Sequence, residues 1–363
     1  MVARQRRNLG EKEPMKAAVI EQFGHALEVQ DWTDPECGPR DVILEVGACG
    51  ICRSDHTLWN GGIEWMGIVP SLPSVLGHEY CGTVVEVGSE VTGSRNGDRI
   101  VAPFCQGCGT CDLCRADHQN VCANLQIPGF HFSGGFASHA KVANADVNVV
   151  KLPDAISFTD AAGMGCRVVT AYHGLVDQAA VKAGEWVAVF ACGGVGLSAV
   201  NIAAALGAQV VAVSRSPEKL ALAEKLGATH TVTAGPDAPA EIVELTRGGA
   251  DVSVDALGSA ATAIPALLSL RTRGRHLRLG ASNKQEQGEI GLPVDVMLFR
   301  ELSFVGSFGM QAARYPEMLA MVAAGKLSPE LLVGETLPLE RVGEVLASMA
   351  DYDTVGMPVI TTF

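Results

Sequence analysis

The run Val187-Ala188-Val189-Phe190-Ala191-Cys192-Gly193-Gly194-Val195-Gly196 constrains this chain most. Its apolar start reads as a short buried strand. A glycine-rich turn follows, and a helix is predicted from about Leu197 to Leu206. Next come a strand at Gln209–Ser214 and a second helix, with Ser216 as N-cap, Pro217 at its first position and Gly227 beyond its end. The alternation continues through Val252–Asp255 and His276–Leu279. Strands and helices in this order form a doubly wound parallel sheet, an α/β architecture. Bare glycines let a backbone approach a pyrophosphate, and the following helix offers free N–H groups and partial positive charge. Gly193, Gly194 and Val195 are therefore candidate contacts to a dinucleotide. NAD-binding sheets end their second strand on a carboxylate that accepts bonds from the ribose. Here Ser214 and then Arg215 stand in that place. Nothing repels a 2′-phosphate, and Arg215 can pair with one bidentately, with Ser214 and Lys219 as further donors. NADP(H) is favoured, with NAD(H) as the alternative.

Before this region the character differs. From Ala17 to about Lys151 the chain reads as short strands, such as Val42–Val46 and Thr83–Val87, separated by proline- and glycine-rich loops. Helical patterns are scarce there. Cys108, Cys111, Cys114 and Cys122 read C-x2-C-x2-C-x7-C, the spacing of a closed, tetrahedral structural zinc site, with disulfides as the alternative. Cys105, just upstream, is left as a spare thiol. At 363 residues and 48% hydrophobic content, two domains with sizeable cores are expected. No apolar run of about 18 residues or more is present, which argues against a membrane span. The net charge of −13 argues against nucleic acid as a partner. Eleven cysteines without a recognisable secretory leader suit a reducing, cytoplasmic setting. Residues 1–14 mix charges without apolar periodicity and are expected to be disordered.

The segment Gly77-His78-Glu79-x2-Gly82-x5-Gly88-x2-Val91, the four-cysteine lobe and the glycine-rich turn occur in one order. Together they resemble the zinc-dependent alcohol dehydrogenases of the medium-chain dehydrogenase/reductase superfamily, from Met15 to Phe363. The resemblance implies a GroES-like β-rich catalytic domain at 15–167 and 305–363, with a structural-zinc lobe at about 105–122. A Rossmann cofactor domain is implied at 168–304. It also implies two zinc ions per chain. One is catalytic, on Cys52, His78 and Cys166; the other is structural, on the four-cysteine group. Ser54 matches the hydroxyl that bonds the substrate oxygen, Asp55 the carboxylate that orients the ligating histidine, and Glu79 a carboxylate behind the metal. Arg53 matches a pyrophosphate contact and Thr170 a position near the nicotinamide amide. Trp59, Phe104, His131 and Phe132 fall in pocket-lining segments.

Two departures stand out. The outer histidine of the family's proton relay is replaced by Thr57, leaving His56 or water to take the proton. The stretch Val355-Gly356-Met357-Pro358 lacks an arginine that some members place on the pyrophosphate. The implied activity is alcohol oxidation or carbonyl reduction, with hydride passing to or from nicotinamide. Its partners would be a small alcohol, aldehyde or ketone and further copies of the chain, as a homodimer or homotetramer. The alternatives are a zinc-free quinone or enone reductase of the same superfamily and a non-catalytic NADP-binding sensor.

Overall fold

The computed structural model describes residues 14–351 and 354–363. Pro14 apart, the segment expected to be disordered lies outside the described residues. Six strands form a wholly parallel sheet in the spatial order His230–Thr233, Gln209–Ser214, Trp186–Phe190, Ala250–Asp255, Leu270–Arg278 and Ser303–Gly306. The first three run backwards in chain order and the last three forwards. The order therefore reverses beside Trp186–Phe190, and such a switch point leaves a crevice at the carboxyl ends of the strands. The last strand reaches Gly306, past the expected domain boundary at 304.

The helix after the glycine-rich turn spans Gly194–Ala205, beginning earlier than Leu197. Glycines are poor helix formers, so their run masks the helix start in the sequence. Here Gly193 is the N-cap, in extended backbone (φ −80°, ψ −168°). The next helix, Pro217–Lys225, begins where its capping residues place it: Ser216 Oγ accepts from the Lys219 N–H at 3.3 Å.

The rest is largely antiparallel. Val42–Gly50 and Glu79–Val87 pair along most of their lengths at the centre of a larger sheet. Arg99–Val101, Val150–Lys151 and His139–Val142 extend it. The chain returns to this sheet through Val333–Pro338 and Met357–Thr362, the latter pairing with Val42–Gly50. A small sheet of Glu28–Trp32, Met15–Ile20 and Ser74–Val75 packs alongside. Among the described residues, no helix is long and apolar enough to cross a membrane.

Candidate functional site

Cys52 ends the loop after the central strand Val42–Gly50 and caps the seven-residue helix Arg53–Trp59. Asp55, third in that helix, returns a bond to the cap: its Oδ2 accepts from the Cys52 N–H at 2.8 Å. An acidic residue in a first turn also complements the helix dipole. Asp55 Oδ1 accepts from the Gly77 N–H at 3.1 Å and from His78 Nδ1 at 3.0 Å. Fully buried, this carboxylate welds two distant loops together. His78 precedes the strand Glu79–Val87, and Cys166 opens the helix Cys166–His173.

The donor atoms of Cys52, His78, Glu79 and Cys166 all lie within 4.8 Å of one another. Burial opposes charge on His78, but Asp55 and the Cys52 sulfur raise its pKa well above the ordinary value. A field that holds a proton there favours any cation. A hydrogen bond from Cys166 draws the Cys52 thiol well below the ordinary thiol range, and the Cys166 thiol rises in turn. Two thiols and an imidazole nitrogen suit zinc.

Glu79 comes closer to this cluster than sequence reasoning could specify. Burial pushes its carboxyl up to about 7, against the pull of Arg167. Its Oε1 accepts from the Cys166 N–H at 2.7 Å and from Arg167 Nε at 3.2 Å, and its Oε2 from Arg167 Nη2 at 2.6 Å. Losing one partner of such a buried pair costs about 3–5 kcal/mol, because the other charge stays buried. Arg167 was absent from the candidates. The available signal was a lone charge within the otherwise uncharged helix Cys166–His173.

The proposed supporting residues divide. Ser54 Oγ lies 3.7 Å from Cys52 Sγ, on the cluster. His56 is turned away, which corrects its candidacy for the proton path. Its Nδ1 donates to the Leu346 carbonyl at 2.7 Å, and its Nε2 accepts from Asn60 at 3.0 Å. Burial lowers its pKa, consistent with a neutral ring locked in place. Thr57 Oγ1 donates to the Arg53 carbonyl at 3.1 Å. Arg53 itself donates to the Met349 carbonyl.

Of the expected pocket residues, only Phe104 meets the site, edge-on to His78 at 5.8 Å. Phe130 does the same at 5.6 Å, and Phe308 packs on Phe104 at 5.6 Å. Neither was foreseen: Phe130 lies 52 residues from His78 and Phe308 lies 204 residues from Phe104, separations that no local pattern encodes. Trp59 instead donates to the His25 carbonyl within the core, the His131 ring accepts from the Ile127 N–H, and Phe132 lies under Lys141.

The dinucleotide cradle keeps space open. A Cβ on Gly193 would meet nothing within 4 Å. A Cβ on Gly194 would strike the Arg167 stem. Val195 follows in the first turn, and Thr170 is buried on the neighbouring helix. Ala191 holds φ +72°, a conformation that costs an L-residue roughly 1–2 kcal/mol. Ser214 ends its strand buried, accepting from the Ser216 N–H at 3.2 Å, while Arg215 is exposed. Among the described residues no carboxylate pairs with Arg215.

The four-cysteine lobe also converges, with the sulfurs of Cys108, Cys111, Cys114 and Cys122 within 4.8 Å of one another and no disulfide among them. Backbone N–H groups point at the sulfurs: those of Thr110 and Cys111 at Cys108, and those of Cys108 and Asn124 at Cys122. The Thr110 hydroxyl and the Thr110 and Cys111 N–H groups bring the Cys108 thiol down to about 5, while burial pushes the Cys114 thiol up to about 12. Four sulfurs gathered this closely, with N–H groups aimed at two of them, suit a closed metal site.

Residues 38–154 match the alcohol dehydrogenase GroES-like domain, and residues 194–324 match the zinc-binding dehydrogenase family. An alcohol dehydrogenase of Geobacillus stearothermophilus is 35% identical over 92% of this chain and 96% of its own length. The chain belongs to the zinc-type alcohol dehydrogenase family. Another alcohol dehydrogenase, from Rhizobium meliloti, is 35% identical over 86% of this chain and 90% of its own length. A solved NAD-dependent alcohol dehydrogenase superposes with a TM-score of 0.86 at 32% identity, covering 96% of this chain and all of the other. A zinc-binding dehydrogenase from Sinorhizobium meliloti, bound to NADP, does so at 0.84, with the same identity and coverage. Zinc and a nicotinamide cofactor are thus the groups that an alcohol dehydrogenase of this type employs, and both donor sets described above fit zinc.

Proposed function

We propose that this chain is a zinc-dependent, NADP(H)-linked alcohol dehydrogenase or carbonyl reductase with one catalytic and one structural zinc. The convergence of Cys52, His78 and Cys166, with Glu79 already engaged by Arg167, carries the reading. Bound zinc supplies Lewis acidity that polarises a substrate oxygen. Asp55 fixes the His78 ring so that Nε2 faces the sulfurs. Ser54, beside Cys52, is placed to hydrogen-bond the substrate hydroxyl and carry its proton outward. With His56 and Thr57 committed elsewhere, solvent takes that proton from Ser54. Phe104 and Phe130 give the site an apolar wall, which favours apolar or aryl substrates over polyols and keeps water from the hydride path.

Gly193, Gly194 and Val195 receive the pyrophosphate, and Ser214, Arg215 and Lys219 face the adenosine ribose. One relative at 28% identity is named as NAD-dependent, and one solved neighbour is bound to NADP. The NADP preference therefore rests on the absent carboxylate and on Arg215. Thr170 and Arg53 complete the cofactor contacts in this reading. The test is metal analysis joined to a spectrophotometric screen of alcohols, aldehydes and ketones with each nicotinamide cofactor. We expect two zinc ions per chain and turnover with preference for NADP(H). Cofactor binding without turnover across the panel would instead favour a sensor, and a chain with zinc only in the four-cysteine lobe would favour a zinc-free reductase.

A further inference from the structure

Arg167 touches both halves of the site. Its guanidinium holds both oxygens of Glu79, through Nε at 3.2 Å and Nη2 at 2.6 Å. Its alkyl stem fills the space where a side chain on Gly194 would start, beneath the first turn of the cradle helix. The bare backbone of Gly50 makes room for the pair, since a Cβ there would meet Glu79 Oε2 and Arg167 Nη2. Arg167 is 6% exposed, and the helix it rides packs on Gly194–Ala205.

A carboxylate oxygen within 4.8 Å of two sulfurs and an imidazole nitrogen is a ready fourth ligand. A zinc closed by four protein ligands has no place for a substrate oxygen. Only the restraint on Glu79 separates the open site from the closed one. Both Glu79 oxygens are spent on Arg167 and the Cys166 N–H, and the guanidinium fork matches carboxylate geometry more fully than a lysine could.

We propose that Arg167 is a positioning residue that withholds Glu79 from the metal and so keeps the catalytic coordination place open. This inference rests on the zinc reading of the Cys52–His78–Cys166 cluster. Freed of its guanidinium, Glu79 turns to the metal, which becomes more tightly held and less accessible.

The test is zinc release to excess EDTA, followed with a chromogenic indicator, on the full chain. The release phase missing from Cys52→Ser belongs to this cluster. In Arg167→Met, which keeps the stem and removes the fork, that phase is expected to slow about tenfold, the scale on which outer partners tune metal affinity. Arg167→Lys should fall between. Adding Glu79→Gln to Arg167→Met should restore the original rate, and this charge-free pair also guards against a variant that fails to fold. Release that is unchanged or faster in Arg167→Met, or slowed equally in the double variant, overturns the inference. Wild-type protein with no zinc in the Cys52-dependent phase overturns the function proposed above instead.

Discussion

His78 Nδ1 lies 3.0 Å from Asp55 Oδ1, and this contact decides which ring nitrogen serves the cluster. An ionised carboxylate only accepts, so Nδ1 carries the hydrogen and Nε2 keeps its lone pair. Asp55 is also bound by the Cys52 and Gly77 N–H groups, so one buried side chain aligns two ligand loops. Replacing Asp55 with asparagine puts an amide donor against one of those N–H groups. Zinc affinity should fall roughly 10–100-fold, the range for lost outer partners of a ligating histidine. Competition with a chelator of known affinity measures it, and unchanged affinity would show that Asp55 does not set the tautomer.

Gly193→Ala separates cofactor binding from stability. The new methyl meets nothing within 4 Å, and φ −80° suits alanine. Thermal stability should hold or rise slightly, by about 0.4–1 kcal/mol, because the unfolded chain loses freedom. The methyl would stand in the cradle, however. Cofactor KM should rise on the order of tenfold, equivalent to about 1.4 kcal/mol. Calorimetry and cofactor titration together test this, and an unchanged KM would move the pyrophosphate away from Gly193.

Much of this arrangement could be read in advance, and the remainder could not for physical reasons. The strands at 187–190 and 209–214 are buried on both faces along most of their length and show as apolar runs, Val187–Phe190 and Val210–Val213, while Val252–Asp255 alternates apolar and polar residues and was legible from its place in the strand–helix alternation. The helix at Ser216 carried a standard cap and was legible for that reason. The helix Arg53–Trp59 was not: it is short, polar in its first half, and capped by a cysteine. It nonetheless presents Ser54 and Asp55. The Arg167–Glu79 pair and the meeting of Phe130 and Phe308 around Phe104 and His78 join residues far apart in the chain, which no local period encodes. The return of Met357–Thr362 to the first sheet was implied by family resemblance rather than by pattern.

Arg215 is exposed at the end of the second parallel strand, where a carboxylate would select NAD. Arg215→Asp reverses the charge that a 2′-phosphate would meet. Loss of one charge-assisted contact is worth about 1.5–3 kcal/mol, so kcat/KM with NADP(H) should drop at least tenfold while that with NAD(H) holds or improves. Parallel kinetics with the two cofactors measure the ratio. An unchanged ratio would place selectivity elsewhere.

His56 has both ring nitrogens engaged, by the Leu346 carbonyl and by Asn60, so its role is to fasten the helix Arg53–Trp59 to the helix Val342–Ser348. His56→Gln should cost about 1–3 kcal/mol through an unpaired buried carbonyl. It should leave the pH profile of turnover unchanged in shape. A lost or shifted limb in that profile would return His56 to the proton path.

His276 offers a pH-dependent stability test away from the catalytic cluster. It is fully buried in the strand Leu270–Arg278, with Nδ1 2.9 Å from Ser253 Oγ and no partner on Nε2 among the described residues. Burial, aided by Arg278, lowers its pKa from 6.5 to about 4. The folded chain therefore refuses a proton that the unfolded chain accepts between these values. This contribution to stability is complete above the unfolded pKa and erodes as pH falls towards 4. Between pH 7 and pH 4.5 the loss from this residue should be about 2–3 kcal/mol. His276→Met removes the titration, so the difference in urea-unfolding free energy between those two pH values should shrink by that amount relative to wild type. Zinc loss at low pH affects both proteins alike and cancels in the comparison. An equal acid loss in wild type and variant would mean that His276 already takes up its proton inside the fold.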